Sequence, residues 1–127
     1  MITTRNTEAG TDSLTHAVIG AAIEVHRIIG PGLLESIYEE ALCHELALRG
    51  LRYQRQKEVD VIYKSIGQRL DLFVDESLVV EIKSVSTLPA VAMAQVLSYL
   101  RTTGLKRALL INFGECLLKD GIKRISL

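Results

Sequence analysis

The segment Gln68 to Ser84, QRLDLFVDESLVVEIKS, constrains the fold more than any other. Two apolar runs flank the polar triplet Asp75 to Ser77, the mark of a tight hairpin. A loop of those residues pairs Val74 with Leu78 and so sets Asp71 opposite Glu81. Strand side chains alternate, so one face then carries Leu70, Leu72, Val74, Leu78, Val80 and Ile82, all apolar. The other carries Arg69, Asp71, Glu81 and Lys83. Directly opposed Cβ atoms lie about 4.5–5.5 Å apart, where like charges destabilise. A hard divalent cation relieves such a pair, because it takes carboxylate oxygens, backbone carbonyls and waters. The same pattern also describes an ordinary solvated face with cross-strand ion pairs, and taken alone the residues favour that plainer reading.

Around this hairpin the periodicity is helical. Leu14, Val18, Ala21, Ala22, Val25 and Ile29 recur at helix spacing, with Asp12 or Ser13 as N-cap. Gly30, Pro31 and Gly32 interrupt the pattern, and a second helix with Leu34, Ile37, Ala41 and Leu48 on one face ends near Gly50. Val59, Val61 and Tyr63 suggest a strand, and Lys64 to Gly67 a turn into Gln68 to Val74. After the hairpin, Pro89 opens a third helix whose stripe is Met93, Val96, Leu97 and Leu100, closed by Gly104. Arg107 to Phe113 reads as a buried strand, and Ile122 to Leu127 as an edge strand. This order predicts a mixed α/β domain: a central mixed sheet of four to five strands flanked by helices, spanning residues 12–127 after a flexible segment 1–11.

With 127 residues, 48% of them hydrophobic, the chain has material for one core. Lys plus Arg and Asp plus Glu number 15 each, so no net field draws it to nucleic acid or an anionic membrane, and any such binding needs a local patch. Arg49, Arg52, Arg55 and Lys57, and again Arg101, Lys106 and Arg107, form either a phosphate-binding rim or a solvated surface. Cys43 and Cys116 have neither zinc nor redox spacing and read as reduced thiols. The polar start MITTRNTEAGTDS lacks the apolar stretch of a secretory signal, and no segment reaches the length of a membrane span. A cytoplasmic location without membrane contact is expected.

One ordered series of motifs narrows the reading. Gly32, Glu35 and Tyr38 stand as G-x-x-E-x-x-Y within GPGLLESIYEEAL, followed by RLDLFV, VVEIKSV, AQVLSYL and LLINFG. From about Thr15 onward the chain resembles the GxxExxY family of the PD-(D/E)XK nuclease superfamily. The resemblance implies a restriction-endonuclease-like core and Mg²⁺- or Mn²⁺-dependent hydrolysis of nucleic acid, DNA before RNA, by a metal-activated water. It also implies roles. Asp71 and Glu81 match the metal ligands, with the Ile82 carbonyl beside them, and Lys83 matches the lysine of E-x-K. Glu35 matches the acidic residue of the first core helix, as a metal ligand or, more plainly, a carboxylate at a helix N-terminus.

Gln95 and Tyr99 match a Q-x-x-x-Y element whose spacing puts both on one helical face, Gln95 toward Lys83 or the attacking water and Tyr99 toward substrate. Where the family has a histidine or other polar residue about three positions before the glutamine, this chain has Ala92, which weakens detailed substrate contacts. Tyr38 reads as core or as a hydrogen bond to a neighbouring element, and His26 as half-buried packing. A homodimer presenting two sites to a duplex is one expected assembly. The competing function is a catalytically quiet nuclease-fold module used for binding or assembly.

Overall fold

The computed structural model describes the backbone of residues 2–60 and 67–127, and side chains over 13–58 and 69–127. Val61 and Tyr63, and residues 64–66 of the expected turn, lie outside the described residues. Along the chain come α1 (Ile2–Ile29), α2 (Glu35–Leu48), β1 (Tyr53–Asp60), β2 (Gly67–Val74), β3 (Leu78–Lys83), α3 (Ala90–Thr103) and β4 (Arg107–Asn112). A 3-10 turn (Leu118–Gly121) and β5 (Ile122–Ser126) follow. The strands form one mixed sheet in the order β1-β2-β3-β4-β5. β3 and β4 run parallel because α3 carries the chain back between them, and the other neighbours are antiparallel.

Each face of the sheet has its own helical cover. Val18, Ala22, Leu42 and Leu46 of α1 and α2 pack on Leu72, Val80, Ile82 and Leu109. Ala92, Val96 and Leu100 of α3 pack on Leu70, Phe73, Val79 and Leu110. β3 lies between both covers, which is why Leu78, Val79 and Val80 form an unbroken apolar run.

The helices depart from expectation in two places. α1 begins at Ile2, upstream of the caps offered by Asp12 and Ser13. On α2 the buried face is Tyr38, Leu42, Cys43 and Leu46, whereas Leu34, Ile37 and Leu48 are exposed. This helix has apolar residues on more than one side, and spacing alone does not rank them. Tyr38 decides the orientation: its ring stacks on Phe113 with centroids 4.5 Å apart. Its hydroxyl donates to the Gly30 carbonyl and accepts from the Leu33 N–H. A fully buried tyrosine needs partners for its hydroxyl, and the Gly30–Leu33 loop supplies them. α2 closes with Leu51 N–H on the Leu46 carbonyl and Gly50 N–H on that of Ala47, and Gly50 takes the left-handed φ of 75° that this closure requires.

In the hairpin the register is as expected, with Val74 opposite Leu78 and Leu72 opposite Val80. The continuous apolar face is not. Leu72 lies under α1 and α2, but Leu70 lies under α3, together with Phe73 and Val79. Side-chain alternation therefore fails between Leu70 and Leu72, at Asp71.

Candidate active site

Beyond the Leu72–Val80 pair, side chains take over from the ladder between β2 and β3. The Asp71 N–H donates to Glu81 Oε1 at 3.1 Å, and the Ile82 N–H donates to Asp71 Oδ2 at 2.8 Å. Each carboxylate thus holds an amide of the opposite strand. On its other side Asp71 also lacks a ladder partner: β1 pairs Arg55 with Leu72 and Lys57 with Leu70, skipping Gln56, whose φ is +50°. A strand residue freed on both sides turns its carboxylate into the gap instead of to one face.

The charges there are in conflict. Glu81 is only 7% exposed, which sets aside the solvated-face reading. Burial first, and then the neighbouring Asp71, push its carboxyl up to about 8, against the pull of Lys83. Asp71 is raised as well, by burial first; the Ile82 amide and Lys83 oppose the rise, and Glu39 and Glu35 add to it. Two carboxyls in contact cannot both ionise freely, so the pair retains a proton that either one alone in water would have lost at neutral pH.

The remaining expected site residues lie on β3, α3 and α2. Lys83 is half-buried, two positions beyond Glu81 on β3. Its carbonyl accepts from Phe113 N–H at 2.8 Å on the β4 side, so by alternation the main-chain N–H and C=O of Ile82 turn toward β2 and Asp71. Tyr99 faces the pair from α3: its hydroxyl is raised by burial first and then by the charges of Glu81 and Asp71. Gln95 sits one turn earlier on that helix, exposed. Glu35, the first residue of α2, is exposed and reaches Asp71 only as a minor field. Among the described residues no three His, Cys, Asp or Glu side chains form a ready metal cluster. Asp71 and Glu81 meet; Glu35 does not join them.

Two residues here escaped the sequence reading. Glu39, one turn after Glu35, is 8% exposed and acts on Asp71 more strongly than Glu35 does. Its signal is a glutamate next to Tyr38, which the sequence already reads as core or hydrogen-bonded. Asn112, fully buried, accepts from Val85 and Gly114 N–H at Oδ1, both at 3.0 Å, and donates to the Val85 carbonyl at 2.9 Å. It clasps the chain just after Lys83, and a Cβ at Gly114 would collide with the Val85 backbone.

His26 is packing, as expected: its Nε2 donates to the Glu115 carbonyl at 2.8 Å. Ala92 is buried in the α3 cluster. The first basic group is largely neutralised locally, Arg49 by Glu45, Arg52 by Asp75, and Arg55 by Glu39 and Glu40, while Lys57 lies over the Phe73 ring. No helix among the described residues is long and apolar enough to cross a membrane.

A mixed sheet covered on both faces, with an aspartate, a glutamate and a lysine gathered where its antiparallel hairpin opens, defines a class of protein. A family model described as the PD-(D/E)XK nuclease superfamily matches residues 12–125, and the chain belongs to that superfamily. No curated protein and no solved structure matches it.

Proposed function

We propose that the protein is a divalent-cation-dependent phosphodiesterase of the GxxExxY family that hydrolyses nucleic acid, DNA in preference to RNA. The observation that carries this reading is the buried pair Asp71–Glu81, two carboxyls forced together beside Lys83. The residues suit a hard dication: every nearby donor is an oxygen, the excess charge is negative, and the Ile82 carbonyl is turned to the same gap. Asp71 and Glu81 would hold Mg²⁺ or Mn²⁺, with Glu35 contributing through an intervening water. When bound, such an ion supplies Lewis acidity toward a phosphoryl oxygen and acidity to water. Lys83 then places its Nζ ammonium against the charge that builds on the phosphoryl oxygens during attack. Tyr99 offers its hydroxyl as a donor to a substrate phosphate, and Gln95, at the rim, orients Lys83 or the incoming water.

The test joins cation binding with turnover. Calorimetric titration with Mn²⁺ should show binding that disappears in Asp71→Asn. Cleavage of single-stranded, duplex and structured substrates should fall about 100-fold or more in Lys83→Ala. Equal background cleavage by wild type and Lys83→Ala rejects the enzyme. In that event the second reading, a binding or assembly module, takes its place; it is favoured by one observation, the local pairing of Arg49, Arg52 and Arg55 with acidic neighbours.

A further inference from the structure

β1 and β2 are interrupted at one step, Gln56 opposite Asp71, yet the register is identical on both sides of it. Neither strand has gained a residue over the other. What changes is facing. Tyr53 packs with the α1–α2 cluster and Arg55 reaches the acids of α2, whereas Lys57, two residues on, lies over Phe73 on the α3 side. Across from them Leu72 and Leu70 divide in the same way. Both strands turn over together at this step, and the turn takes Asp71 out of its ladders. Gln56 adopts a left-handed backbone to permit it, a conformation that non-glycine residues hold only when their surroundings enforce it.

The enforcing group is Glu39. Its Oε1 accepts from Gln56 Nε2 at 2.7 Å, and its Oε2 accepts from Arg55 Nε and Nη2 at 3.1 and 2.9 Å. Arg55 Nη1 is held in turn by Glu40 at 2.8 Å. A single, nearly buried carboxylate on α2 therefore grips both residues at the kink. We infer that Glu39 is a positioning residue: it latches the turnover at Gln56 and thereby presents the Asp71 carboxylate to Glu81 and Ile82. The functional weight of this latch rests on the phosphodiesterase reading, but the latch itself is measurable without turnover.

The experiment compares wild type, Glu39→Ala and the double variant Glu39→Ala with Gln56→Gly, using amide hydrogen exchange in cation-free protein and cleavage kinetics with Mn²⁺. Asp71 and Ile82 amides report the site, because carboxylates hold them; Val79 and Val80 report the ordinary sheet. Glu39→Ala should speed exchange at Asp71 and Ile82 by about tenfold or more, leave Val79 and Val80 unchanged, and lower kcat at constant KM. Adding Gln56→Gly should reverse these changes, because glycine takes the positive φ with no latch. Unchanged exchange at Asp71 and Ile82, equal acceleration at all four amides, or failure of Gln56→Gly to restore protection each overturns the inference. If the exchange pattern holds and the wild type shows no cleavage, the latch stands and the phosphodiesterase reading fails.

Discussion

The two ends of the β2–β3 hairpin obey opposite rules. At the turn end Phe73 pairs with Val79 and Val74 with Leu78, all buried and apolar, in an uninterrupted ladder. At the open end Asp71 and Glu81 replace that ladder with their own carboxylates, under burial that raises the protonation of both. The first end stabilises the fold, and the second draws on that stability to keep two carboxyls in contact. Leu72 and Asp71 are neighbours in sequence, yet their side chains contribute to folding with opposite sign.

The largest expected effect belongs to the open end alone. Lys83→Ala should lower kcat for Mn²⁺-dependent cleavage about 100- to 1000-fold, the usual consequence of deleting one charge-stabilising group. Its cation affinity and urea midpoint should stay close to wild type. A comparable loss of kcat in folded Leu78→Ala, at the turn end, breaks the division between the two regions.

Stability should divide at the Asp71–Leu72 boundary. Leu72→Ala removes a fully buried side chain and should cost about 2–5 kcal/mol in urea unfolding. Asp71→Asn, without divalent cation, should be neutral or stabilising, because it ends the repulsion with Glu81 while keeping an acceptor for Ile82 N–H. A loss in Asp71→Asn as large as in Leu72→Ala contradicts the proposed contrast.

The pH dependence follows from Glu81. Its carboxyl titrates at 4.5 when unperturbed and at about 8 in the fold, so the folded state holds a proton that the unfolded state releases across that window. The stabilising contribution is complete below about 4.5 and is lost as pH rises through 8. Cation-free protein should therefore lose stability from pH 5 to pH 9, and Glu81→Gln should flatten the slope. Saturating Mn²⁺ should offset it in wild type, because the ion takes the place of the proton. Parallel pH profiles for wild type and Glu81→Gln sink this account.

Much of the architecture was legible because it rests on local signals. Gly30, Gly50 and Gly104 end helices, Pro89 precedes one, and the Asp75–Ser77 turn sets the register of the carboxylates. Asp71, Glu81 and Lys83 read on their own as a solvated face of the hairpin, and it is the ordered series of motifs that marks them as a site. What stayed hidden depends on packing between elements distant in sequence. Tyr38 reads from the sequence as core or hydrogen-bonded and is both, but nothing in ESIYEEAL says that it stacks on Phe113 and takes Glu39 inward with it. No glycine marks the left-handed step at Gln56, since Glu39 supplies what a glycine would otherwise permit. Strict alternation, applied across that step, assigned Leu70 to the wrong side of the sheet. Glu35 matched a motif but lies at an exposed helix start, where sequence cannot measure its distance from the pair.

The smallest effect sharpens the comparison from the turn end. Asp75 and Glu76 both adopt positive φ, 51° and 53°, although neither is glycine. Ser77 N–H closes the turn on the Val74 carbonyl at 3.1 Å, so the local geometry follows from the hairpin register. Asp75 is tied to Arg52 by a long, exposed ion pair, while Glu76 is exposed and has no hydrogen bond or ion pair among the described residues. Glu76→Gly should therefore relieve backbone strain without losing a side-chain contact, and the relief exceeds the added unfolded-state entropy, stabilising the protein by about 0.5–1 kcal/mol in urea unfolding. Relief at this end should leave cleavage untouched, because register is already set by Val74 and Leu78. A gain in stability accompanied by a change in kcat shows instead that strain in the turn is transmitted along β2 to Asp71, and that the two ends act as one unit.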